Sequence, residues 1–352
     1  MTLRDLLTAR IAENGPVSVA EYMAECLLHP RYGYYTAREP FGRAGDFTTA
    51  PEISQMFGEL IGLCMAQAWL DQGRPSPITL AEAGPGRGTL MADILRATAG
   101  VPGFHEAATI TLFEVSEKLR ILQKTALAPV RPVFADTLDA LPDAPLFLVA
   151  NEFFDALPVR QFVRTEKHWR ERQVGLQNGA LCFGLAPELP QPALSHRLED
   201  TSPGDMVEYA PQAGPLAEAT GRRIAQAGGL ALIIDYGEWR STGDTFQAVK
   251  EHKKTGVFEQ PGHADLTAHV DFEGLARAAP CAASRLTPQG HFLERLGITE
   301  HARRLATGLS GTALEEHIAA HRRLTHPDEM GTLFKVLGLY RDADGPPPGL
   351  ER

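Results

Sequence analysis

The chain has 352 residues, a formal net charge of −10, and 43% hydrophobic and 22% charged residues. That is the balance of a globular protein able to bury a sizeable core, and its acidity argues against a nucleic-acid binder, which needs a basic face for phosphates. No apolar run reaches the roughly 18 residues of a membrane span, and cysteines at 26, 64, 182 and 281 form no CxxC pair or zinc spacing, so no metal is expected and a reducing compartment is.

Residues 1–75 read as mainly helical. Leu3, Leu6, Leu7 and Ile11 share one helix face, which suits folded protein rather than a signal peptide. Ser18-Val-Ala-Glu21 is a capping box for a helix ending before Pro30. Tyr32, Tyr34 and Tyr35 follow in a turn-rich segment, suited to core packing or to a substrate wall. Gly45-Asp-Phe-Thr-Thr-Ala-Pro51-Glu52 then precedes an amphipathic helix, marked by Ile53, Met56, Phe57, Leu60, Ile61, Cys64 and Met65. The density of special residues there suggests a lid over a cofactor; a simple N-cap at Thr48 or Thr49 is the plain alternative.

From residue 76 strands and helices alternate: strand 78–83, helix 89–99, strand 109–115, helix 116–127, short strand 131–135 and strand 146–150. This order predicts a parallel sheet with helices on its faces. Extra antiparallel strands are expected over 160–185, loops plus a helix over 195–227, and a buried strand at 230–234. Residues 238–275 read as a polar, loop-rich insertion. Strands near 283–286 and 332–339 would complete the sheet, and the Pro-rich tail after Arg341 is expected to fray.

Within this frame Glu82-Ala-Gly84-Pro85-Gly86-Arg-Gly88 links the first sheet strand to the helix after it. Three readings compete. A dinucleotide fingerprint wants G-x-G-x-x-G/A, but Thr89 holds its third small position. A P-loop wants Gly-Lys-Ser/Thr, and the turn has no lysine. The third reading is E-x-G-x-G-x-G, the pattern of class I S-adenosylmethionine methyltransferases, whose cationic, phosphate-free ligand tolerates an acid before the first glycine. A purely structural strand–helix turn is the plain alternative.

Acids at successive strand ends favour a nucleoside ligand. Glu114 ends the second strand, 30 residues after Gly84, where a carboxylate accepts ribose hydroxyls. Asp136 follows the third, where an acid meets an adenine amino group. Each also fits a solvated surface acid. The fourth strand ends in Asn151-Glu152-Phe-Phe-Asp155-Ala-Leu-Pro158, beside the expected crevice. Asn151, Glu152 and Asp155 are the catalytic candidates there, joined by Asp46, with Asp235 a lesser one; helix capping is the alternative for Asn151 and Asp155. His317 and His321 share a helix face, but Ile318 stands where H-E-x-x-H needs Glu. His263, Asp265, His269 and Asp271 suit an ordered or acceptor-binding loop.

The segments 45–54, 82–90, 151–158, 261–272, 287–293 and 330–337 together resemble the MidA-like family of class I S-adenosylmethionine methyltransferases. That group includes the mitochondrial protein arginine methyltransferase of respiratory complex I assembly. The resemblance covers nearly the whole chain. It implies an α/β, Rossmann-like, mostly parallel sheet with helices on both faces, an N-terminal helical extension (1–75), a cofactor core (76–160 and 228–341) and an inserted substrate or cap region (161–227). It implies S-adenosyl-L-methionine held by Glu82, Gly84, Pro85, Gly86, Gly88, Glu114, Asp136 and Asn151. It implies symmetric dimethylation of a protein arginine, with Glu152 first among the acids that would pair the guanidinium. A complex I subunit is the expected acceptor and a homodimer an expected assembly. The setting would be a bacterial cytoplasm, or the mitochondrial matrix in a eukaryote. Two rival readings are a nicotinamide-dependent oxidoreductase and a non-enzymatic assembly chaperone.

Overall fold

The computed structural model describes residues 1–37 and 49–352. The readings placed on Asp46 and Thr48 lie outside them. The chain forms two compact units: Met1–Phe47 with Asp155–Ala213 and Glu238–Asp271, and Thr48–Phe154 with Gly214–Gly237 and Phe272–Arg352. The second holds the main sheet.

Its strands are β1 (Ile78–Ala83), β2 (Ala108–Phe113), β3 (Val133–Phe134), β4 (Leu146–Asn151), β5 (Gly229–Glu238), β6 (Ala282–Ala283) and β7 (Phe334–Tyr340). They lie in the order β3-β2-β1-β4-β5-β7-β6. β1 to β5 run parallel, and β7 is antiparallel to both neighbours. Every residue of β1 and β4 is buried, as expected of central parallel strands covered on both faces. The order turns back between β1 and β4, the switch point at which open α/β sheets form their ligand crevice.

Three helices frame this end of the sheet: α1 (Gln55–Asp71), α2 (Thr89–Thr98) and α3 (Glu117–Ala126). The cap of α1 is Ser54, whose hydroxyl accepts from the Met56 N–H at 3.2 Å. Thr49 instead precedes a separate short turn, Ala50–Ile53, and makes no side-chain cap bond. Pro51 at the front of that turn favours a helical start of its own. The tail is not frayed. Leu350 is buried in the same apolar core as Phe57, Phe292 and Val336, and Gly338 lacks the Cβ that would strike it.

In the other unit, helices Leu3–Asn14 and Val19–Leu28 bury Leu3, Leu7, Ile11, Tyr22 and Met23 with Val174, Phe246 and Leu266. The Ser18–Glu21 capping box is present. Strands Arg160–Arg164, Trp169–Gln177 and Ala180–Leu189 are antiparallel as expected. Strands also form where none was anticipated. Met206–Tyr209 pairs with Arg160–Arg164, where the sequence suggested loop. Residues 238–275 are more ordered than their polarity suggested, because Lys253–Thr255, Gln247–Lys250 and Asp265–Thr267 form a three-stranded sheet. Its first hairpin turns on Glu251 and His252, both with φ near +50 to +61°. Glu and His are weak signals for a turn that usually takes Asn or Gly.

Candidate functional site

Six of the sequence-predicted groups converge at the carboxyl ends of β1 to β4. Ala83 and Ala150 are register partners, so Gly84 and Asn151 leave the sheet side by side. The glycine turn has positive φ at Gly84 (65°), Gly86 (51°) and Gly88 (85°), a region that penalises any Cβ. The Gly88 N–H closes the turn on the Pro85 carbonyl at 2.7 Å, and the Gly84 N–H bonds the Phe113 carbonyl at 3.1 Å. A Cβ on Gly84 would stand 2.9 Å from Cδ2 of Phe153. That glycine therefore makes room for a protein side chain.

Glu82 is 3% exposed. Its carboxyl accepts the Met91 backbone N–H at the start of α2, yet burial dominates and pushes it up to about 8. Glu114 accepts from the Ser116 N–H at 2.7 Å and from the Gln123 amide at 3.2 Å; burial raises its carboxyl too. Asp136 is exposed and ion-paired with Arg120 at 2.8 Å. Arg120 also donates to the Glu114 carbonyl at 2.7 Å, so it ties the ends of β2 and β3 together.

Asn151 and Glu152 continue the cluster at the end of β4. The Glu152 N–H extends the ladder to the Ile234 carbonyl at 2.9 Å. Glu152 itself has φ 51°, rare for a residue other than Gly, Asn or Asp. Its Oε1 accepts the Ala50 N–H at 2.9 Å and the Asn151 amide at 3.2 Å.

Asp155 belongs to the other unit, where it is buried and its carbonyl accepts the Ala268 N–H at 3.0 Å. Asp235 is not free to meet an acceptor, as the sequence reading allowed. It is fully buried, and its carboxylate accepts backbone N–H groups of Phe153 (3.2 Å), Phe154 (3.0 Å) and Tyr236 (3.0 Å). His317 bonds the Ala302 carbonyl and His321 the Thr299 hydroxyl. In the other unit Tyr34 is buried in the core and the Tyr35 hydroxyl donates to Asp265 at 2.8 Å.

Two groups escaped sequence reasoning. The Gln123 amide donates to the Gly86 carbonyl at 2.7 Å as well as to Glu114, joining the glycine turn to the acid at the end of β2. A Gln four residues after Leu119, interrupting the apolar face of Leu119, Leu122 and Ala126, was the available signal. Glu52 accepts the Thr89 hydroxyl at 2.6 Å, pinning the Ala50–Ile53 turn to the start of α2.

The residues present fit an adenosyl amino acid. Glu82 Oε2 and Asn151 Oδ1 are buried acceptors with no hydrogen-bond partner among the described residues. Leaving one unpaired costs roughly 1–3 kcal/mol, which a donor-bearing ligand would relieve. A ligand of hydroxyls and cations suits this set of carboxylates and amides better than one of phosphates.

Comparison with known proteins agrees. Residues 60–291 match the family described as "Putative S-adenosyl-L-methionine-dependent methyltransferase". The mitochondrial protein arginine methyltransferase NDUFAF7 of Danio rerio is 37% identical, covering 96% of this chain and 86% of the relative. The Homo sapiens protein is 36% identical over 95% of this chain and 82% of its own length. A crystal structure of a superfamily member from Burkholderia thailandensis, bound to S-adenosyl-homocysteine, superimposes with a TM-score of 0.83 at 29% identity, covering 99% of this chain and 94% of that one.

Proposed function

The chain belongs to this family of S-adenosyl-L-methionine-dependent methyltransferases, and from that premise we propose that it methylates arginine side chains of a protein. The observation that carries the reading is Glu152, a carboxylate fixed on a left-handed backbone beside the glycine turn. A guanidinium stays charged at all working pH and is recognised best by anionic oxygens. Glu152 would bind it and aim one nitrogen, with Asn151 holding the Glu152 carboxylate in place.

The cofactor would be held by Glu82, the Gly84–Gly88 backbone, Glu114, Asp136 and Asn151. When bound, it supplies a methyl carbon activated by the adjacent sulfonium. The chain's own contribution is position and exclusion of water, which account for much of the barrier reduction in such displacements. We further propose a respiratory complex I subunit as acceptor and symmetric dimethylarginine as product, as the family resemblance implies. On this reading the inserted region 161–227 selects the acceptor. The reaction would run in a bacterial cytoplasm or a mitochondrial matrix.

Glu152→Gln keeps the shape and removes the charge. It is expected to lower methyl transfer by about 100-fold, in the range of a lost charged contact in the transition state. S-adenosylhomocysteine affinity should stay within twofold. Full activity in Glu152→Gln, or loss of cofactor binding together with activity, would contradict the assignment.

A further inference from the structure

The sheet holds a device that fixes Glu152. A non-glycine residue at φ 51° carries a cost of order 1–3 kcal/mol and persists only where its surroundings over-determine it. Among the described residues, one side chain gathers the backbone that follows it. After the Glu152 N–H closes the β4–β5 ladder on Ile234, the next two N–H groups, of Phe153 and Phe154, both turn onto Oδ2 of Asp235. Oδ1 takes the N–H of Tyr236. Successive N–H groups after a left-handed residue make a concave anion nest, and Asp235 is the anion built into it. Across β7 its register partner is Lys335, a buried lysine whose ammonium bonds the Gly237 and Thr332 carbonyls.

We propose that Asp235 is a positioning residue for methyl transfer: its carboxylate locks the Glu152–Phe154 backbone so that Glu152 faces the acceptor. The inference rests on the role proposed for Glu152. Asp235 is fully buried and its carboxylate holds backbone N–H groups, so its effect on the reaction passes through Glu152. Phe153, held by the same carboxylate, fills the space beside Gly84, so the lock also sets that wall of the glycine turn.

The test compares the full-length wild type, Asp235→Asn, Glu152→Gln and the double variant. Three readouts are used: transfer of labelled methyl from S-adenosylmethionine to proteins of a lysate, calorimetric affinity for S-adenosylhomocysteine, and amide exchange at Phe153 and Phe154. Asp235→Asn should lower transfer ten- to a hundred-fold and speed exchange at both amides at least tenfold. Cofactor affinity should change no more than about threefold. In the Glu152→Gln background the same change should cost less than twofold, because coupled residues are non-additive. Independent, multiplying losses would overturn the inference, as would unaltered transfer or unaltered exchange in Asp235→Asn. If the wild type methylates no protein, the proposed function fails by itself. The positioning claim is then decided by exchange alone, and unaltered protection at Phe153 and Phe154 overturns it.

Discussion

Glu82 and Gln123 show what single residues do at this site. Glu82 has a folded-state pKa of about 8, above the ordinary 4.5, because of burial. Between those values the folded protein keeps a proton that the unfolded chain has lost, so this group makes stability fall as pH rises from about 4.5 to 8, by at most about 1.4 kcal/mol per pH unit. A ligand cation that pairs with ionised Glu82 would drive the proton off. Calorimetry of S-adenosylhomocysteine binding at pH 7, in buffers of different ionisation enthalpy, should therefore show net proton release that shrinks in Glu82→Gln. Equal release in both proteins would remove Glu82 from the cofactor site. Gln123→Leu keeps the volume but strips two hydrogen bonds, from the Gly86 carbonyl and Glu114. It should weaken S-adenosylhomocysteine binding about tenfold with the fold intact by circular dichroism; unchanged affinity would make Gln123 a packing residue. Glu82 was legible in the sequence because the glycine pattern flags it. Asp235 was legible only as a lesser acceptor-binding acid, and the partners that it and Gln123 hold were not legible, since only the fold brings them near.

Among the elements, α1 and α2 cross at close range. A Cβ on Gly62 would stand 2.9 Å from the Ile94 Cα, and one on Gly58 would stand 2.5 Å from the Asp93 Cβ. Polar groups fill the rest of the crossing. Arg96 bridges Glu59 (2.9 Å) and Asp93 (2.7 Å), and His301, on the helix Ile298–Leu305, meets Glu59 at 2.5 Å. Gly62→Ala must push backbone apart, so it should cost roughly 1–3 kcal/mol, as overpacking does, lowering the urea midpoint at unchanged slope. An unshifted midpoint would mean the crossing is looser than described. Spacing of apolar residues revealed α1 from the sequence, and capping revealed the helix after Ser18. Apolar spacing carries no information on how closely two helices approach. The hairpin at Glu251–His252 was hidden because Glu and His are weak turn signals, and the strand Met206–Tyr209 because four residues are a short run until the pairing with Arg160–Arg164 is seen.

At the scale of the molecule, the alternation of strands and helices over residues 76–150 was enough to predict the parallel half of the sheet. It placed Gly84, Glu114, Asp136 and Asn151 at strand ends that prove to be neighbours. The compact units were less legible, because each is assembled from three separated stretches of chain. Continuity along the sequence suggested instead that residues up to 75 go together, whereas α1 packs with the sheet. Leu350 shows the same effect: a Pro-rich tail looks loose until its one large apolar residue meets a core. Among the described residues no helix is long and apolar enough to cross a membrane. Methyl transfer to protein arginine is the chemistry we propose for this family member. The most direct measurement is incubation with methyl-labelled S-adenosylmethionine and a lysate from a strain lacking the gene, followed by mass spectrometry of the labelled proteins. Label is expected on arginine nitrogen of a small number of proteins, and close to none with Glu152→Gln. Label confined to another residue type, or no transfer by a wild-type protein that binds S-adenosylhomocysteine, would contradict the proposal.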